Sequence, residues 1–285
     1  MNAVSFTYRP DSSGSFVYGI VISKINRLGL QRKWVRFREL VSKLGFWSTM
    51  VYVFHERLGI RPGSDYWIQP LPLSHPLRIR RNSSDIDVFM QVFFEREYAC
   101  LDDVVNASLI FDCGANVGYS AAYFLAQHPT CHIVAVEPDS ENFDALSRNL
   151  SAYGDRVTLV RAGIWSHVTT LAIAQAQYRD GREWTRQVRT CESGEEDGFE
   201  GMDIGSILDT LQYNRISILK MDIEGAEAVV FSEKYESWLG MVDAIAIELH
   251  DDSTFGNGSE TFFAAINGQG FKVTSSGELT ICRRP

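Results

Sequence analysis

The run Leu109 to Ser120, LIFDCGANVGYS, constrains the fold more than any other part of the chain. Leu109, Ile110 and Phe111 are apolar and long enough for one buried strand. Asp112 follows, then Gly114, Ala115, Asn116, Val117 and Gly118. Val117, Ala121, Phe124, Leu125 and His128 then recur at helical spacing. A buried strand, a glycine-rich turn and a helix open a nucleotide-binding α/β domain. Glycines let a ligand approach the backbone, and a helix start presents unpaired N–H groups. A bare strand-to-helix turn gives the same pattern.

His132 to Val136 (HIVAV) reads as a second strand, ended by Glu137, Pro138 and Asp139. Glu137 lies 23 residues beyond Gly114, near the spacing at which an acid accepts hydrogen bonds from a ribose diol. It also precedes a helix, whose dipole favours an acid there. A dinucleotide fingerprint has a glycine three residues after its second, and its turn serves a pyrophosphate. Here the order is Asp112-x-Gly114-x-Asn116-x-Gly118, and a carboxylate aimed at the turn suits a cationic ligand better.

Val157 to Val160 reads as a third strand, running into Arg161, Ala162, Gly163 and Ile164. Val168 to Ile173 and Gln187 to Thr190 read as antiparallel strands of an insertion, followed by an acidic loop from Glu192 to Glu200. Ile216 to Met221 is a fourth strand, ending in Asp222, Ile223 and Glu224, and Val242 to Leu249 a fifth, ending in Glu248 and His250. Phe271 to Thr274 and Glu278 to Cys282 form a closing hairpin. The alternation predicts an α/β fold, a mostly parallel sheet with helices on both faces. Ligands bind beyond the carboxyl ends of such strands, where Asp112, Glu137, Asp222, Glu224, Glu248 and His250 gather.

Residues 1–63 read as a basic helical appendage, 64–107 as a lead-in and 108–285 as the catalytic domain. The appendage shows apolar spacing at Val17, Ile20, Val21 and Leu28, at Trp34, Phe37, Val41 and Leu44, and at Trp47, Val51, Phe54 and Leu58. Residues 1–81 carry a charge of +9 and residues 82–285 carry -18, within a net charge of -9. The acidic part lacks the basic footprint of a nucleic-acid binder. Arg32, Lys33, Arg36 and Lys43 lie off the apolar stripe, as on helices that touch membranes peripherally or whose charges simply face water. Apolar runs are too short to span a bilayer, and the start lacks the order of a secretory signal, so the expected location is cytoplasmic. The 5 cysteines are odd in number, without a CxxC pair, which argues against a disulfide framework or structural zinc.

LKMDIEGAE (Leu219 to Glu227) resembles the hallmark of the FkbM family of S-adenosylmethionine (SAM)-dependent methyltransferases. FDCGANVGYS, AVEPDSENF and IAIELH match the family's other blocks in order, and Arg78 to Tyr98 resembles its usual approach segment. The resemblance implies a Rossmann-like class I methyltransferase fold with a closing antiparallel strand. It implies SAM as donor and usually a hydroxyl on a sugar, glycan or natural product as acceptor. Carried over, Asp112, Gly114, Ala115, Asn116 and Gly118 would hold the methionine part. Glu137 and Pro138 would meet the ribose, and Asn142, Gly163 and Ile164 the adenosine. Asp222 would reach the donor and, with Glu224, face the methyl group and acceptor.

Methyl transfer needs in-line alignment and, for an alcohol, removal of its proton. Asp222, Glu224 and His250 are the candidate acid–base groups. A metal ion held by Asp222 and Glu248 is the other route, and oxygen ligands would suit Mg²⁺. An NAD-dependent oxidoreductase would use a similar sheet, against which the glycine spacing and LKMDIEGAE weigh. A non-catalytic SAM-binding module is the remaining alternative, against which the strand-end carboxylates weigh.

Overall fold

The computed structural model describes residues 25–59, 65–173, 188–191, 195 and 198–285. The chain parts into two units, residues 1–39 and 40–285. Helix α1 (Ile25–Leu44) is the described part of the first and runs on to the start of the second. The expected helix through Val17, Ile20 and Val21 lies largely outside the described residues. Leu40, Leu44 and Tyr52, assigned from sequence to the appendage, are buried in the core of the larger unit.

In that unit Gly45, at φ 83°, breaks the chain before α2 (Phe46–Tyr52), which continues as a π-helical turn over Val53–Arg57. Strands β1 (Tyr66–Ile68) and β2 (Leu77–Ile79) form an antiparallel pair. Glu56 ties α2 to that pair by accepting hydrogen bonds from Tyr66 and Arg81. The apolar spacing at Trp47, Phe54 and Leu58 marks the helix correctly but not its buried face, for all three are exposed. Ser48, Thr49 and Tyr52 are buried instead. The two small hydroxyls permit close approach and bond to carbonyls, Ser48 to that of Gln69 and Thr49 to that of Gly45.

Next come α3 (Asp85–Phe89), a π-helical turn Met90–Glu95 and a 3-10 turn Glu97–Leu101. The main sheet starts with β3 (Leu109–Cys113), α4 (Tyr119–Gln127), β4 (His132–Val136), α5 (Ser140–Leu150) and β5 (Val157–Val160). A small sheet follows, from β6 (Gly163–Ile164), β7 (Thr169–Ile173), β8 (Val188–Thr190) and β9 (Phe199–Met202). The expected acidic loop falls partly outside the described residues, and its last two, Phe199 and Glu200, are strand. The main fold resumes with α6 (Ile204–Leu211), β10 (Ile216–Met221), α7 (Glu227–Val230), α8 (Glu236–Leu239), β11 (Val242–Glu248) and α9 (Gly258–Ile266). Strands β12 (Lys272–Ser276) and β13 (Leu279–Arg283) end it.

The main sheet has the order β12-β13-β11-β10-β3-β4-β5. Only β13 is reversed, pairing antiparallel with both β11 and β12. This is the expected mostly parallel α/β sheet with its closing antiparallel strand. Strands β3 and β10 are buried at every position, and their residues are apolar apart from Asp112, Ser217 and Lys220. Alternate residues feed opposite cores: Ile110, Ile133 and Ile218 pack on one face, Phe111, Val134 and Leu219 on the other. Chain order reverses at β3, which pairs with β4 on one side and β10 on the other, so a crevice opens above its carboxyl end.

Candidate active site

The glycine turn is closed upon itself. Gly114 and Ala115 donate their N–H groups to the carbonyl of Val136, at 3.1 and 2.9 Å. Asn116, at φ 49°, donates its N–H to Glu137 Oε2 at 2.9 Å, and Gly118 donates to Ala115 at 2.8 Å. A pyrophosphate site needs such N–H groups free. Here Gly114, Ala115, Asn116 and Gly118 use theirs within the protein, which weighs against a pyrophosphate on these groups. Gly118 faces Leu146 and Leu150 of α5 rather than the crevice: an added Cβ would lie 2.8 Å from Leu146 Cδ1. Its expected contact with the ligand is therefore corrected to helix packing.

Asp112 needs the same correction. It is fully buried, accepts a hydrogen bond from Ser120 Oγ at 2.6 Å and lies 3.1 Å from Lys220 Nζ. Lys220 also donates to the carbonyls of Gly114, at 2.7 Å, and Cys113, at 3.3 Å. Burial alone would weaken its ammonium, but Asp112 and Asp222 outweigh that and push its pKa above the ordinary value. The ion pair joins β3 to β10 beneath the turn. A buried cation one strand away takes up the carboxylate that the sequence reading aimed at the methionine part.

A cleft of about 380 Å³ lies over these strand ends, within the range of roughly 300–1,000 Å³ of small-molecule sites. Gly114, Ala115, Asn116, Glu137, Pro138, Asn142, Gly163, Ile164, Asp222, Glu224 and Glu248 line it, as expected. Sequence reading missed Gln91, Glu97, Tyr98, Lys220 and Glu278, which line it too. Of these, Lys220 stands inside the LKMDIEGAE run and Glu97 and Tyr98 inside the approach segment, so a signal was present without a role.

Glu137 is buried and accepts N–H groups from Asn116 and Asp139, the latter at 3.0 Å. Burial pushes its pKa up to about 7, with the two backbone bonds pulling the other way. Asp139 caps α5 by accepting from Glu141 and Asn142. The Asn142 side chain is held at 2.9 Å by Arg80, whose guanidinium also forks onto Asp85. The lead-in segment thus positions a cleft residue.

Asp222, Glu224 and Glu248 gather where β10 and β11 end. Burial and the charge of Glu248 push Asp222 up to about 6, against Lys220 and His250. Its Oδ1 is buried with no hydrogen-bond partner among the described residues. Glu97, raised to about 7 by burial and by Asp222, comes in from the lead-in. His250 is 1% exposed and does not line the cleft. Its Nδ1 lies 3.0 Å from Glu227 Oε1, and its Nε2 lies 3.4 Å from Glu248 Oε1 and 3.6 Å from Glu224 Oε2, ion contacts rather than aligned hydrogen bonds. Burial favours the neutral ring, but Glu227, Glu248 and Asp222 overcome it and push the pKa up to about 11. These carboxylates favour the imidazolium, which weighs against His250 as the expected catalytic base. It holds the carboxylates in place, and Glu227 also accepts the N–H of Ile223 at 3.3 Å.

Donor atoms of Asp222, Glu224 and His250 lie within 4.8 Å of one another, a set that leaves out Glu248. Mg²⁺ prefers an all-oxygen octahedron, which a set containing an imidazole does not supply. The residues fit Mg²⁺ poorly, and the Asp222–Glu248 assignment is withdrawn. They fit a cationic organic ligand well, because several carboxylates face a cleft whose one lysine is already committed to Asp112.

The family model described as "Methyltransferase FkbM domain" matches residues 112–273. Methyltransferase sdnD of Sordaria araneosa is 26% identical over 221 residues, 66% of this chain and 82% of that protein. Methyltransferase 1 of Beauveria bassiana is 24% identical over 162 residues, 50% of this chain and 65% of that protein. Among solved structures, an O-methyltransferase family protein from Burkholderia thailandensis aligns with a TM-score of 0.39 at 11% identity, covering 69% of this chain and 57% of that one.

Proposed function

This chain belongs to the FkbM methyltransferase family, and from that premise we propose that it carries the methyl group of SAM to a hydroxyl of a sugar, glycan or natural product. SAM, when bound, supplies an electrophilic methyl carbon on a positively charged sulfur. The surplus of carboxylates around the cleft supports that ligand, as do the four turn N–H groups already bonded within the protein. Glu137, Asn142, Gly163 and Ile164 form the nucleoside side, and Asp222 with Glu224 the reaction side.

One observation carries the O-methyl reading: the unpartnered, buried Oδ1 of Asp222 on a carboxyl poised at about 6. Such a group is ionised at neutral pH yet basic enough to take a hydroxyl proton as the carbon–oxygen bond forms. Gln91, Glu97, Glu248 and Glu278 line the same cleft and offer hydrogen-bond acceptors to a hydroxyl-rich acceptor. A phosphate-rich acceptor would be repelled, which sets nucleic acid aside.

Incubation with SAM labelled in its methyl group, against panels of glycans, hydroxylated natural products, amines and thiols, tests the proposal. Label should enter the hydroxylated panels and depend on Asp222. Label entering amines or thiols alone would overturn it.

A further inference from the structure

The cleft accounts for the acidic part of the chain but leaves one surface unexplained. Among the described residues, nine of the thirteen exposed large apolar side chains lie between Trp34 and Leu71. In the larger unit they concentrate on α2 and the turn after it. Phe46, Trp47, Met50, Phe54 and Leu58 are all exposed, Trp47 at 80%, and their spacing of about four residues puts them on one helix face. The opposite face, Ser48, Thr49 and Tyr52, is the one buried. We infer that this aromatic face docks the protein on an anionic lipid bilayer.

Three features select that occupant. Tryptophan with phenylalanine and leucine beside basic residues is the composition of helices that lie in a membrane interface. Arg57 is exposed near the end of the stripe, and α1 just before it in the chain carries six basic residues against one acidic. The charge division also gives direction: residues 1–81 at +9 are drawn to an anionic surface that repels residues 82–285 at -18. The contact is peripheral, since no described helix is long and apolar enough to cross a membrane.

The full-length protein, sedimented with phosphatidylcholine vesicles containing phosphatidylserine, tests this. The protein should pellet with these vesicles, less so as salt rises, and only weakly with phosphatidylcholine alone. Trp47→Ser with Phe54→Ser should weaken the partition about tenfold or more and leave circular dichroism and SAM binding unchanged. Equal binding to both vesicle types would overturn the anionic assignment. Wild-type protein that ignores vesicles, or a double variant that binds undiminished, would overturn the docking face. A dimer seen by light scattering that the double variant dissociates, with no vesicle binding, would reassign the face to a second copy of the chain.

Discussion

A β-carbon placed on Gly114 would lie 1.9 Å from the carbonyl oxygen of Asp222. The turn after β3 and the turn after β10 therefore touch backbone to backbone, at φ 74° for Gly114, and no side chain can stand between them. The contact fixes the glycine turn against the carboxylate assigned to the chemistry.

The first prediction follows directly. Gly114→Ala must push the two turns apart as well as hold alanine at positive φ, so it should destabilise by about 3 kcal/mol or more. That corresponds to a melting temperature lowered by roughly 6–12 °C. Gly268→Ala, also at φ 74° but with nothing near its Cβ, is the control and should cost only the positive φ, about 1–2 kcal/mol. Equal shifts for the two variants in thermal unfolding would mean that the close approach carries no weight.

Lys220 gives the second. Lys220→Met leaves Asp112 charged, buried and without its cation, at a cost of about 3–5 kcal/mol. Adding Asp112→Asn removes the stranded charge and should recover a good part of that loss, with Ser120 still able to donate. Denaturant titrations of both singles and the double give the coupling. Strictly additive losses would show the pair to be independent.

The central sheet was legible because strands buried on both faces are mostly apolar, as in the LIF of LIFDC and the isoleucines and leucine of ISILKM. Glu137 was legible as a cleft residue because it follows the glycine turn at a distance set by one helix and one strand. The Asp112–Lys220 pair was not, since nothing local links two residues joined only by strand order. The protonation of His250 depends on Glu227 reaching across from α7, which sequence spacing does not report. The buried face of α2 was misread because two small hydroxyl residues fit closely where larger aromatic ones do not. Glu97 and Gln91 entered the cleft through π-helical and 3-10 turns, which have no simple hydrophobic period.

Glu137 links cofactor affinity to pH. Its ordinary value is 4.5, and burial raises it to about 7 in the folded protein. The folded state therefore holds a proton that the unfolded state releases between these values, and this group's contribution to stability falls as pH rises through that window. Ribose hydroxyls donate to the ionised form, so SAM binding should expel the proton. Affinity measured by calorimetry should rise about tenfold between pH 6 and pH 8. In Glu137→Gln it should be flat with pH and weaker by about 1.5–3 kcal/mol. A wild-type affinity independent of pH would remove Glu137 from the ribose contact.

The last prediction separates two carboxyls in the reaction half of the cleft. Asp222, poised at about 6, must be ionised to take a hydroxyl proton, so turnover should rise with pH through that value. Asp222→Asn keeps the shape and removes the base. Turnover should fall by about 10²–10⁴-fold with SAM affinity nearly intact, and the acidic limb of the pH profile should vanish. Glu97, raised to about 7, is mostly protonated where Asp222 ionises, so Glu97→Gln leaves a neutral neighbour in place. That variant should keep substantial turnover and leave the limb near its wild-type pH. A chelator should leave the wild type active, because the residues fit Mg²⁺ poorly. If Glu97→Gln abolishes turnover while Asp222→Asn retains it, the proton acceptor is Glu97 and Asp222 only tunes it. If chelation abolishes turnover and Mg²⁺ restores it, neither carboxyl is a simple base.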